Sequence, residues 1–279
     1  MNQNNPLQQY FRQPAIYVKL PSQGKFYAQN AIDLPVNGEL PVYPMTAIDE
    51  ITYRTPDALF NGQATVTVVE SCVPSIKDGW SVPAMDIDTL LIAIRIASYG
   101  HDMEFTTTCP KCQNISDHAL DLRTALAAIT PPDYSTSIKS GDMEIFLRPM
   151  SYQNLNDNNR LQYTNQKMLQ NLPESNIDDE EKMSALTAAL KKITDITIKA
   201  IAQSIAAVKT PAALVTETEY IEELLHQCDK KLFTTIRDQI VKLKAQSEMQ
   251  PLNMSCPNCQ HEYEQTVTLD MTSFFEAAS

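Results

Sequence analysis

Apolar and polar positions alternate with a helical period over AMDIDTLLIAIRIASYG. Leu90, Leu91, Ile94 and Ala97 share one face, Asp86 or Asp88 is placed to cap the start, and Gly100 stands where the pattern stops. A helix this apolar is expected to be buried. ATVTVVESCVP is ambiguous. Val66, Val69 and Val73 suit a helix face and the β-branched content suits a strand. The helical reading is preferred, ended by Pro74. TPDALFNG predicts a short helix with Thr55 as cap, Pro56 at the first position and Gly62 just past the end.

Extended segments have a different signature. From Ala15, AIYVKLPSQGKFY alternates and turns at Pro21–Gly24, predicting a strand, a tight turn and a second short extended piece. ELPVYPMTA reads as another extended segment, confined to an edge by its prolines. YSTSI and MEIFLRPM flank KSGD as a β-hairpin. Residues 1–13 are polar and read as an arm, disordered or ordered by a partner.

From Ser151 to about Gln246 the period is helical. KMSALTAALKKITDITIKAIAQSIAAV reads as one long helix. PESNIDDEEK reads as a solvated acidic connection, since it lacks the glycine and final glutamate of a calcium loop. Thr216-Glu217-Thr218-Glu219 reads as a capping box. Beyond it, Ile221, Leu224, Leu225, Cys228, Leu232, Ile236, Ile240 and Leu243 form one apolar stripe. The preferred reading of the stripe is internal packing, with a partner-binding face as the alternative.

With 279 residues the chain is long enough for a sizeable core. Net charge is −12, and Lys191-Lys192 and Lys230-Lys231 are isolated doublets rather than a basic groove. That balance points to protein partners rather than nucleic acid or an anionic membrane. Six glycines and no phosphate-binding glycine motif argue against a nucleotide-binding fold. The opening MNQNNPLQQYFRQP lacks the pattern of a secretory signal, and no apolar run reaches membrane-spanning length. Production in a reducing cytoplasm is expected, where persistent disulfides are rare.

The cysteines carry the clearest chemistry. TTTCPKCQN holds Cys109 and Cys112, and NMSCPNCQH holds Cys256 and Cys259. The pairs read alike, and each precedes a segment containing Leu-Asp, ALDL and TVTLD, as a short internal repeat does. Roughly 140 residues separate them, enough for a domain. A C-x-x-C turn aims two sulfurs at one ion, and the intervening proline stiffens the turn. Two such knuckles close a four-cysteine site, for which one structural Zn²⁺ per chain is the preferred occupant. A redox disulfide needs one pair only, and iron–sulfur spacing is absent. His118 and His261 lie nearby; His261 could replace a ligand, but both are read as ordinary surface residues. Cys72 and Cys228 are read as buried and without a role.

No catalytic constellation is present: neither H-E-x-x-H nor G-x-S-x-G occurs. A zinc hydrolase would need an open ligand position, which four cysteines do not leave. The chain is therefore read as not an enzyme. Its expected class is α+β: an N-terminal arm with short strands (1–45), a small helical core (46–104), a first zinc-ribbon half with β-hairpin (105–150), a helical insertion (151–250) and a second ribbon half (251–279).

LPSQGKFY, PMTAIDE, TPDALFNGQAT, SCVPSI, DIDTLLIAIRIASYG and CPKC, in this serial order, resemble the baseplate hub assembly proteins of T-even-like contractile-tailed bacteriophages. The resemblance covers most of residues 16–150 and returns at the second cysteine pair; residues 151–250 match in general character. It implies a non-enzymatic assembly chaperone or minor subunit that binds hub or tape-measure proteins. Its place would be the host cytoplasm during assembly, or the tail baseplate of the virion. The resemblance carries no catalytic residues. The other class is a zinc-ribbon phage regulator that binds RNA polymerase or nucleic acid. A DNA-binding ribbon should show basic and aromatic tips, and the knuckles offer Lys111 and little else.

Overall fold

The computed structural model describes residues 6–54, 62–171 and 178–265. The class is α+β, with eight α-helices and four small antiparallel sheets among the described residues. The chain forms two compact units. One comprises Met1–Gly79, Met85–Pro131 and Ser247–Ser279; the other comprises Trp80–Ala84 and Pro132–Gln246.

In the first unit, β1 (Ile16–Lys19) pairs antiparallel with β2 (Glu39–Val42), with Val18 opposite Leu40. The expected turn is present, with Gln23 and Gly24 at φ 58° and 76°. The piece directly after it is not the strand's partner. The reason is burial: Leu40 and Val42 are fully buried, whereas Lys25 and Phe26 face solvent. Pro41 sits in a two-stranded sheet, where every strand is an edge.

The arm expected over 1–13 is tied down by its own chain at Arg12. The guanidinium donates to Pro44 O at 2.6 Å, Ser71 O at 2.7 Å and Ser71 Oγ at 2.9 Å, and lies 3.4 Å from Asp49. Asp49 closes a capping box at the start of α1 (Ala47–Tyr53): Thr46 Oγ1 accepts the Asp49 N–H, and Asp49 accepts the Thr46 N–H.

The helical reading of ATVTVVESCVP holds: α2 spans Gln63–Cys72 and ends before Pro74. The helix expected over 55–62 lies, Gly62 apart, outside the described residues, as does TVTLD. α3 (Ala84–Tyr99) is the buried centre of this unit, with Leu90, Leu91, Ile92, Ala93 and Ile94 all at 1% exposure or less. Gly100 follows it at φ 90°. Asp86 does not cap it. It lies inside the first turn, fully buried, and accepts from Ser22 N–H at 2.9 Å, Ser22 Oγ at 2.5 Å and Tyr27 Oη at 2.9 Å. Burial pushes its carboxyl up to about 6, against the pull of these hydrogen bonds.

The unit continues through the hairpin of β3 (Asp102–Thr108) and β4 (Ile115–Asp121) into α4 (Leu122–Ala128). Asp121 caps α4 by accepting the Arg123 N–H at 2.9 Å. The last described elements, β9 (Leu252–Ser255) and β10 (Glu262–Gln265), form a second hairpin.

The second unit is built on a four-stranded sheet in the order β5-β6-β7-β8. The predicted hairpin is β5 (Ile138–Ser140) and β6 (Met143–Leu147), turned at Gly141-Asp142 with Gly141 at φ 57°. The third strand corrects the sequence reading. α5 (Tyr152–Asn171) and α6 (Asp179–Gln203) are helices, but IAAVK leaves the helix as β7 (Ile205–Lys209) and pairs with β6; β8 (Leu214–Val215) pairs with β7. Asp178, from the acidic connection, caps α6 by accepting the Glu181 N–H at 2.8 Å; residues 172–177 lie outside the description.

The capping box expected at 216–219 is not formed. Glu217 instead accepts its own neighbour's N–H, that of Thr216. The following helix breaks at Cys228-Asp229 into α7 (Thr218–Gln227) and α8 (Lys230–Ser247), where Asp229 accepts the Leu232 N–H at 2.8 Å. The predicted stripe packs internally, as preferred. Ile221, Leu225, Ile236 and Leu243 are buried with Ile145, Leu147, Ile201, Ile205 and Val208, and Leu224, Leu232 and Ile240 pack against them. Cys228 is only half-buried and donates its thiol to Leu225 O, whereas Cys72 is fully buried.

Candidate metal centre

The two C-x-x-C segments take the same local form. Each closes an antiparallel hairpin: Thr108 lies opposite Ile115 below the first, and Ser255 lies opposite Glu262 below the second. In the first, the Cys109 N–H donates to Asn114 O at 2.9 Å and the Gln113 N–H to Cys109 O at 3.0 Å. In the second, the Cys256 N–H donates to His261 O at 3.0 Å and the Gln260 N–H to Cys256 O at 2.9 Å. Gln113 and Gln260 both adopt left-handed backbone, at φ 56° and 58°. The repeat read in CPKCQ and CPNCQ is therefore a repeat of conformation.

Those turns bring four sulfurs together. The Sγ atoms of Cys109, Cys112, Cys256 and Cys259 all lie within 4.8 Å of one another. Cys109 and Cys259 are 3.8 Å apart, and Cys112 and Cys256 are 3.6 Å apart. A tetrahedral ion with metal–sulfur bonds of about 2.3 Å requires sulfurs about 3.8 Å apart. A disulfide would need about 2.05 Å, and all six cysteines are free. The arrangement fits a metal ion held by four thiolates.

Burial and charge support the same chemistry. Cys109 and Cys256, the first cysteine of each pair, are 1% exposed; Cys112 and Cys259 are half-buried. The Asn114 backbone N–H, then Cys259, hold the Cys112 thiol down to about 6, and Asn258 Nδ2 lies 3.8 Å from its sulfur. Cys259 moves the other way. The His261 N–H favours its thiolate, but crowding by Cys112, with burial, Cys256 and Cys109, carries it up to about 12. Neighbouring thiolates repel one another, and a cation among them removes that obstacle.

Neither histidine belongs to the cluster. His118 Nε2 pairs with Ser116 Oγ at 2.9 Å, and the His261 ring stacks beside Tyr263 at 6.4 Å. Both are half-buried. One contact had no signal in the cysteine spacing: Thr107 Oγ1 and Tyr263 Oη share a hydrogen bond of 2.7 Å that links the two hairpins below the sulfurs. The hairpins share no strand pairing, since each is a separate two-stranded sheet. The sulfur cluster and this bond are thus named links between segments more than 140 residues apart in sequence.

No helix among the described residues is long and apolar enough to cross a membrane. Comparison with curated proteins and with solved structures returns no match. A family model described as T4 bacteriophage base plate protein matches residues 18–276, which include both cysteine pairs and span parts of both units. The chain therefore belongs to the T4 bacteriophage base plate protein family, which gives it a role in the phage tail baseplate, among other baseplate proteins.

Proposed function

We propose that this baseplate protein is a non-enzymatic assembly factor for the central hub, acting as chaperone or minor hub subunit. It holds one structural Zn²⁺ on Cys109, Cys112, Cys256 and Cys259. The family match over residues 18–276 supports the baseplate role, and the sulfur cluster supports the zinc. Four thiolates saturate a tetrahedral ion and leave no position for substrate or activated water, so the centre serves architecture rather than catalysis. When bound, the ion supplies cohesion between the two hairpins. Such binding is worth on the order of 10–16 kcal/mol in small zinc peptides.

Hub or tape-measure components are the partners of this reading, bound during assembly in the host cytoplasm. The helical insertion, residues 151–250, and the N-terminal arm are the surfaces assigned to them. Around Arg12 the arm exposes Leu7, Tyr10 and Phe11 at 55–76%, the kind of aromatic surface enriched in protein interfaces. The test is affinity capture with the full-length protein against purified hub and tape-measure components, with host RNA polymerase alongside. Capture of a hub component at micromolar affinity or better is expected. Capture of polymerase alone would replace this reading with the regulator.

A further inference from the structure

Three charged side chains are buried among the described residues, Asp49, Asp86 and Arg95, all in the first unit. Two of them have partners. Asp49 accepts from the Thr46 N–H and hydroxyl and from the Ser71 hydroxyl, with Arg12 beside it. Asp86 accepts from Ser22 and Tyr27. Arg95 is 4% exposed, and neither its Nε nor its Nη1 has a hydrogen-bond partner among the described residues. No carboxylate among them forms an ion pair with it.

Tyr99, one turn further along α3, covers the face of the guanidinium, with Arg95 Cζ 4.8 Å from the ring centroid. A ring attracts a cation over its face, whereas the N–H donors of a guanidinium lie in its plane. Stacking therefore leaves the donors unused. The carboxylate at the hydroxyl end of that ring is committed: Glu50 accepts the Tyr99 hydroxyl at 2.7 Å. Burial lowers the Arg95 pKa and Tyr99 opposes the shift, and a guanidinium keeps its charge in proteins. A buried charge without a partner is strongly destabilising. Groups kept in that condition concentrate at functional sites.

The planar fork of arginine selects a carboxylate or a phosphate, which it holds with two parallel hydrogen bonds. The surroundings select a protein side chain. Glu50 belongs to α1, and on the same short helix Ile48 and Ile51 stand 75% and 69% exposed. The Tyr99 pKa is carried up to about 12 by burial and Glu50, while Arg54, at the end of α1, and Arg95 pull it down. Two cations thus act on one ring beside an apolar helix. An arginine and a tyrosine together with apolar side chains match the anatomy of an interface hot spot. A free anion offers nothing to Ile48 and Ile51.

We propose that Arg95 receives the carboxylate of an aspartate or glutamate presented by another baseplate protein, at an interface that also covers Tyr99, Ile48 and Ile51. The site adds a third surface to the helical insertion and the arm. The pairing forms only on docking, away from water, where truncating one partner of a charge pair acts on dissociation.

Urea unfolding and capture of purified baseplate proteins would compare the full-length parent with Arg95→Met and Arg95→Lys. Arg95→Met removes the charge and keeps an unbranched apolar chain, so the urea midpoint of the free protein rises. The same variant weakens capture of a baseplate component about tenfold or more, with circular dichroism and metal content unchanged. Arg95→Lys keeps the charge, loses the fork and restores capture only in part. A lower midpoint for folded Arg95→Met overturns the proposal, because the guanidinium is then satisfied within the free protein. Capture equal to the parent's overturns it as well. If acetate raises the parent's midpoint above chloride at equal ionic strength, Arg95→Met loses that rise and capture is unchanged, the site takes a free anion instead. If Arg95→Met does not fold, Arg95→Lys decides: parent-like capture overturns the proposal and weakened capture supports it. Parent-like capture of hub components by Arg95→Met leaves the hub reading standing. Loss of a different baseplate protein keeps this site and leaves the hub reading to its own test.

Discussion

Cys112 Sγ lies 3.6 Å from Cys256 Sγ although 144 residues separate them in sequence. The shortest sulfur contacts described thus join the two knuckles rather than the two cysteines within one. If one ion joins all four, Cys112→Ser and Cys256→Ser remove the same interaction from opposite ends. Each single variant should lose the bound metal, and the double variant should be no less stable than either single one. Additive losses in urea unfolding would mean two independent sites, because non-additivity is the mark of groups that act as a unit.

Thr107 and Tyr263 predict a smaller effect. Tyr263→Phe removes one hydrogen bond of 2.7 Å between the hairpins and keeps the ring beside His261. A cost of about 1 kcal/mol is expected in denaturant unfolding, with metal stoichiometry retained. Loss of metal in this variant would show that the hydrogen bond positions the second knuckle.

Arg12 holds the arm to Pro44, Ser71 and Asp49. Arg12→Ala should destabilise the protein by about 1–3 kcal/mol, since it leaves two carbonyls short of a donor and the buried Asp49 short of a cation. Limited proteolysis should cut the variant's first dozen residues faster than those of the parent. Equal rates would mean that the arm is held elsewhere.

Asp86 predicts a pH dependence of defined sign. Its folded carboxyl titrates near about 6, above the ordinary 3.8, chiefly through burial. Between those values the folded chain keeps a proton that the unfolded chain has released. This contribution therefore favours folding below about pH 4, weakens as pH rises to 6, and is level above. The change is about 3 kcal/mol in order of magnitude. The stability of the parent relative to Asp86→Asn, from urea unfolding at pH 4.5 and pH 7, should fall as pH rises. A pH-independent difference would contradict the buried-carboxylate account.

Features written in local pattern were legible. The C-x-x-C pairs, the apolar period of α3 and the Gly141 turn were each recovered from a few neighbouring residues. Features that depend on distant partners were not. Ile205–Lys209 continues the apolar run of α6, and pairing with β6, remote in sequence, and with β8 makes it a strand. The capping box was sought at 216–219 with glutamate and is found at 46–49 with aspartate. Asp86 is a helix-start acid, as its position implies, but not a cap, because its hydrogen-bond donors Ser22 and Tyr27 lie about sixty residues away. Thr107 and Tyr263 carry no motif and become partners only once the knuckles have brought their hairpins together.

The central claim is the four-thiolate metal centre, and elemental mass spectrometry of protein purified without added metal tests it most directly. About one zinc per chain is predicted, absent from Cys109→Ser and from Cys256→Ser, with four thiols becoming reactive on chelation. Metal-free protein whose Cys109 and Cys112 are joined in a readily reduced disulfide would contradict the account.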